Sequence, residues 1–357
     1  MALKIERPLR QGDGVALVNP AGVLPERFKN QYLYVKAYLR ELGFVVKDFV
    51  VEDGWEYAEK RAEAFLRAFS DPDVRIVLPL CGGTRVYDIL PLLDYSALAR
   101  TRKAFCGSSE LSALTTVIGE RSNMVTFFGP HLNFINPKAS KLENRFTVRS
   151  FWNMLQWDWH GKNGLNINEM YNFFSAPRDG TLPVTVHNIY RDPRLIADSR
   201  YCDNRYEPVY ADRDVTGELV MCSLEILTRL AEAGFQPKIS RKILMIDALD
   251  MPFSDVLNSL RQISGAYNLE DAAAIAFSSV VERTDRKVRF YPELMDPTAI
   301  RRFLGELADL VGGSVPLFYG FPLGHCSYKL TLPTGIPTTI VAETGDLLLR
   351  ELPYEKQ

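Results

Sequence analysis

Hydrophobic and polar positions change period repeatedly along the first half of the chain. "GVALVNPA" (14–21) is a short apolar run closed by Asn-Pro, and "PERFKNQYLYVKAYLRELG" (25–43) returns apolar residues every three or four positions before Gly43. The first pattern predicts a strand, the second a helix with a glycine stop. "FVVKDFVV" (44–51) predicts a second strand, Tyr57 to Phe69 a second helix, and the nearly all-apolar "VRIVLPL" (74–80) a strand buried on both faces. "DILPLLDYSALAR" (88–100) predicts helical turns, "KAFCG" (103–107) another strand and "SELSALTTVIGE" (109–120) another helix. Strands and helices taking turns at this spacing predict an α/β fold with a parallel, doubly wound sheet.

The alternation fails from about 134 to 212, where "FWNMLQWDWHGKNG" (151–164) and long polar stretches predict a connection with inserted elements. It then resumes. Leu219 to Ala233 predicts a helix, "KILMIDAL" (242–249) a strand, Phe253 to Ser264 a helix, "AAAIAFSSVV" (272–281) a strand, Asp296 to Leu310 a helix and "VPLFYG" (315–320) a strand. "LTLPTG", "TTIVAE" and "LLLREL" predict short antiparallel strands near the end. Three domain-level segments follow: 1–150, a connection over 151–211, and a second α/β domain over 212–357 with mixed or antiparallel strands.

Composition narrows the function classes. At 357 residues, 46% hydrophobic and 24% charged, the chain has the balance of a globular protein large enough for two cores. A formal charge of -2 from 42 basic and 44 acidic residues argues against a nucleic-acid polymer as partner. No segment reaches the roughly 18 apolar residues of a membrane span, and the charged opening is unlike a signal peptide, so a cytoplasmic protein is expected. Five dispersed cysteines without a Cys-x-x-Cys pair predict reduced, mostly buried thiols, and no His-Glu-x-x-His cluster predicts a catalytic metal. No Walker motif or dinucleotide fingerprint predicts a nucleotide cofactor.

Ligands in doubly wound sheets lie beyond the carboxyl ends of the strands. Three such ends qualify here: "NPAG" (19–22), "CGGTR" (81–85) and "GSSE" (107–110). Ser108 or Ser109 at a strand-to-helix turn is either a helix cap or a nucleophile beside outward-facing backbone N–H groups. Among four histidines, His325 in "YGFPLGHC" has a loop setting suited to a general base, and His131 in "FFGPHL" is suited to a pocket wall. Asp247, at the end of "KILMID", is placed to orient an imidazole. Arg85 is a candidate partner for a substrate carboxylate, and Trp157 and Trp159 for a nucleobase or aryl group.

These motifs, in this order, resemble the LD-carboxypeptidase family of serine peptidases, and within it the microcin C immunity branch. The resemblance is carried by "GDGVALVNPAGVLPERF", the Gly-Gly segment through "ILPLLDYSAL", "KAFCGSSELSAL", "VTFFGPHL", "DVTGELVMCSLEIL", "RKILMIDALD" and "VPLFYGFPLGHC". It implies a Rossmann-like N-terminal domain, a C-terminal domain, an active site in the crevice between them and a homodimer. It also implies Ser109 as nucleophile, His325 as base, Asp247 at the acid position, and the backbone N–H groups of Gly83 and Glu110 as oxyanion donors. Three departures stand out. The acid is aspartate where the family has glutamate, Glu110 replaces aspartate, and Met221, Cys222 and Ser223 replace Gly-Gly-Asn. The expected function is a serine hydrolase acting through an acyl-enzyme on a small, specialised peptide or amide, with acyl transfer or ligand binding without turnover as alternatives.

Overall fold

A computed structural model describes residues 2–22, 26, 29–135, 142–156, 182–184, 207–209, 211–248, 251–278, 296–326 and 329–355. The chain divides into two units: Met1–Tyr171 with Thr331–Gly335 and Pro353–Gln357, and Asn172–Leu330 with Ile336–Leu352. The segment expected as the second domain, 212–357, is thus interrupted once, at Thr331–Gly335, and its last residues, Pro353–Gln357, also belong to the first unit. Leu332–Pro333 pairs antiparallel with Phe127–Phe128, and Tyr354 bridges to Ile5.

In the first unit, strands β1 (Gly14–Val18), β2 (Val45–Asp48), β3 (Val74–Pro79), β4 (Ala104–Gly107) and β5 (Phe127–Phe128) run parallel in the order β2-β1-β3-β4-β5. Helices α1 (Lys29–Glu41), α2 (Ala58–Ser70), α3 (Val86–Ile89), α4 (Tyr95–Thr101), α5 (Ser112–Arg121) and α6 (Leu142–Gln156) complete the expected alternation. Every residue of β1 and β4 is buried, as the apolar runs predict, whereas edge strand β2 is largely open. This order reverses direction between β1 and β3, the place where doubly wound sheets bind ligands. The loops after β1, β3 and β4 gather at that end.

The second unit contains an eight-stranded mixed sheet. Its strands are β6 (Leu182–Val184), β7 (Glu207–Val209), β8 (Val215–Ser223), β9 (Ile243–Asp247), β10 (Ala274–Ser278), β11 (Leu317–Phe321), β13 (Pro337–Ile340) and β14 (Leu347–Leu349); β12 is the Leu332–Pro333 segment of the first unit. β8 to β11 form a parallel centre, and β7, β13, β14 and β6 add antiparallel edges. Helices α7 (Leu224–Glu232), α8 (Phe253–Tyr267) and α9 (Pro297–Leu310) connect the parallel strands.

One element departs from its prediction: Leu219–Ser223 is strand, and the helix begins only at Leu224. The run Leu219-Val220-Met221-Cys222 is apolar at every position, so it fits either period, and pairing with β9 decides for strand. Among the described residues no helix is long and apolar enough to cross a membrane. Cys81, Cys106, Cys222 and Cys326 are buried, and burial pushes the Cys106 thiol up; Cys202 lies outside the described residues.

Candidate active site

The turn after β4 is bent at Ser109. Its φ of 58° lies in the left-handed region, which for a non-glycine residue costs about 1–3 kcal/mol and has to be held by its surroundings. Ser108 is extended (φ −141°), 2% exposed, and makes no side-chain cap to the helical turn that follows. The capping alternative for Ser108 therefore fails, and the strained, partly exposed hydroxyl is that of Ser109. A serine on a strained strand-to-helix turn is the arrangement of a nucleophile elbow.

The Gly-Gly turn after β3 lies against this serine. A methyl group placed on Gly82 would sit 3.8 Å from both Ser109 Oγ and His131 Cε1, so Ser109 and the buried His131 flank the same side of the turn. Gly83 admits no side chain, since its Cβ would meet the Ala21 carbonyl oxygen at 2.3 Å. That close approach brings the loops after β1 and β3 together, and the Arg85 N–H donates to the same carbonyl at 3.3 Å. Asn19 in the first loop is committed elsewhere: its amide exchanges two hydrogen bonds, 2.9 and 2.8 Å, with the backbone of Val51.

The buried Glu110 side chain accepts the Val86 N–H at 2.8 Å, at the start of α3. Residue 110 thus follows the nucleophile candidate and holds the far end of the Gly-Gly turn. Its extra methylene relative to aspartate provides reach for that bond. The same turn is gripped from below by Arg61, whose guanidinium donates to the carbonyls of Pro20 (2.6 Å) and Arg85 (2.7 Å) and to Asp88 (3.1 Å). Burial lowers the Arg61 pKa, and the charge of Asp88 opposes that shift. Sequence reasoning missed Arg61, although it occupies the α2 face otherwise made of Ala62, Phe65, Ala68 and Phe69. Arg85 itself points outward, its guanidinium 5.4 Å from the ring centre of Trp55.

Asp247 and His325 meet within the second unit. Asp247 ends β9, is 1% exposed, and its Oδ2 lies 2.6 Å from His325 Nδ1. Burial alone would raise the carboxyl pKa, but the His325 charge and the hydrogen bonds outweigh it and hold Asp247 below the usual carboxylate range. A carboxylate only accepts, so Nδ1 carries the shared proton, and in the neutral form of the ring it is Nε2 that holds the lone pair a base requires. The shorter acid reaches the imidazole directly, with no need of an intervening water.

Three further contacts fill the carboxylate. Oδ1 accepts the His325 backbone N–H at 3.1 Å and the Ser278 hydroxyl at 3.3 Å, and Oδ2 accepts the Ser223 hydroxyl at 3.1 Å. Gly324 makes this possible: its φ is 61°, and its Cβ would fall 2.0 Å from Asp247 Cγ. Met221 and Cys222, two of the departures from the family pattern, are buried in β8 opposite Met245 and Ile246. Ser109, Glu110, Gly83, Arg85 and His131 are thus gathered in one unit, and Asp247 and His325 in the other. Trp157 and Trp159 lie outside the described residues. Among the described residues no group of three or more His, Cys, Asp or Glu side chains could hold a metal ion.

A strained serine at a strand end and a buried carboxylate-imidazole pair are kinds of component that serine hydrolases use. The chain belongs to the LD-carboxypeptidase family: residues 15–129 match the LD-carboxypeptidase N-terminal domain and residues 216–340 the C-terminal domain. A carboxypeptidase-named protein of Vibrio cholerae is 25% identical over 349 residues, covering 94% of each chain. The microcin C7 self-immunity protein MccF of Escherichia coli is 23% identical over 354 residues, covering 96% of this chain and 95% of that one. The solved structure of MccF with glutamyl sulfamoyl guanosine superposes with a TM-score of 0.74 at 20% identity, covering 99% and 100% of the two chains. Membership supports a serine peptidase-like function.

Proposed function

We propose that this protein cleaves an amide or peptide bond through a Ser109-His325-Asp247 triad and an acyl-enzyme. Ser109 Oγ attacks the carbonyl carbon, His325 Nε2 takes its proton and passes it to the departing amine, and water then releases the acyl group. The backbone N–H groups of Glu110 and Gly83 receive the charge that develops on the carbonyl oxygen. The observation that carries this reading is the 2.6 Å contact between His325 Nδ1 and a buried, ionised Asp247, which gives a histidine of the right tautomer for a base. The left-handed backbone of Ser109 supports its part as nucleophile.

The substrate is a small aminoacyl or peptidyl amide. The complex of MccF with glutamyl sulfamoyl guanosine supports this class. Arg85, held at both its N–H and its carbonyl and stacked on Trp55, supplies a fixed cation for an anionic substrate group, and His131 lines the wall beside Ser109. The test is covalent labelling by a fluorophosphonate together with a screen of peptidyl amides. Ser109→Ala should abolish both labelling and turnover with the melting temperature near wild type. Undiminished turnover in that variant would overturn the triad.

A further inference from the structure

The contacts around Asp247 extend beyond the histidine. Ser223 and Asp247 are register partners on adjacent parallel strands, and Ser278 comes one residue after the Phe277–Ile246 pair on the other side of β9. The three residues therefore form a row across the carboxyl ends of β8, β9 and β10. Ser223 and Asp247 close their strands, Ser278 is the last described residue of β10, and all three are buried: 8%, 1% and 0% exposed. Two hydroxyls in so apolar a sheet end need partners, and the carboxylate supplies them on both oxygens.

A carboxylate offers about four acceptor positions. Here four donors take them, two on each oxygen, from three different elements: β8, β10 and the loop after β11. An acid held only by its histidine could rotate about its own side-chain torsions. One held on both oxygens from both sides has a single orientation, and its charge is solvated by fixed dipoles in place of water. On its single methylene the carboxylate lies close to its own strand, within reach of the Ser223 and Ser278 hydroxyls on the two neighbouring strands.

We propose that Ser223 and Ser278 are positioning residues that clamp Asp247 in the orientation His325 requires. The inference rests on the triad reading above for its effect on rate, but the clamp itself has a signature that needs no substrate. His325 Nδ1–H, bonded to Oδ2 at 2.6 Å, should give a strongly downfield proton resonance, identified by its loss in His325→Gln.

Ser223→Ala and Ser278→Ala should each lower kcat on the order of tenfold, and the double variant on the order of a hundredfold, with KM within about twofold, as expected for misorientation of a reacting group. Fluorophosphonate labelling should slow in parallel, and the Nδ1–H resonance should move upfield or broaden. Ser223→Thr, which keeps the hydroxyl, should restore kcat and the resonance. If the double variant fails to fold, the single variants and the threonine rescue decide the same question. Wild-type kcat and an unmoved resonance in folded Ser223→Ala and Ser278→Ala would overturn the clamp. Turnover surviving Ser109→Ala would overturn the triad instead, with the resonance still reporting on the clamp.

Discussion

Gly324 and Ser109 are both held at left-handed φ, for opposite reasons. At Gly324 the conformation is free of strain because the residue has no Cβ, and that space is filled by the Asp247 carboxyl group. Gly324→Ala would add a left-handed penalty of about 1–2 kcal/mol and force the carboxylate out of its place. The expected result is a loss of kcat of at least about a hundredfold, with a lowered melting temperature, read by steady-state kinetics and calorimetry. At Ser109 strain is retained with a side chain present, the cost expected where a hydroxyl has to be presented at a sharp turn. Both residues lie within motifs that carry the family resemblance, but neither torsion was legible, since a φ angle is set by contacts distant in the sequence. Glu110 shows the same limit. Its backbone role followed from its place after Ser109, whereas its side-chain bond to Val86 N–H joins positions 24 residues apart.

At the scale of elements, most of the site was legible as strand ends. Apolar runs stopping at Asp247 and Gly107 marked the carboxyl edges of both sheets before any pairing was known. What escaped was the row beside Asp247. An apolar stretch that fits a helical period over 219–233 concealed that Ser223 closes a strand. The error arises because fully buried strands lack the alternation that identifies half-buried ones. Helix α3 illustrates how little an element can contribute by itself. Four residues are too few for a stable isolated helix, so its start depends on Glu110. Glu110→Ala leaves the Val86 N–H without that acceptor and should destabilise the first unit by about 1–3 kcal/mol. Faster hydrogen exchange at Val86 than at the β4 amides would check it; unchanged protection there would show that another group holds the turn.

For the whole molecule, the division of the chain is less simple than two consecutive domains. Residues 331–335 and 353–357 are distant in sequence from the first unit yet belong to it. Tyr354 is buried there, its hydroxyl donating to the carbonyls of Met154 (2.8 Å) and Leu155 (3.0 Å). Pro353 and Glu355 bracket Ile5 with backbone hydrogen bonds of 3.0 and 2.9 Å. Tyr354→Ala should therefore cost about 3–5 kcal/mol, as for a large buried aromatic. The loss should register in the first unit, followed through the intrinsic fluorescence of Trp152, which stacks on Phe44 in that unit.

This return also sets the order in which the protein can be completed. Synthesis runs from the N-terminus, so the last residue assigned to the second unit, Leu352, is made before Tyr354 can reach Ile5. The unit that begins first is finished last. A ribosome-bound chain truncated anywhere between 336 and 352 therefore presents a first unit lacking its final strand-like bridge and the aromatic plug beside α6, with its nucleophile turn already synthesised.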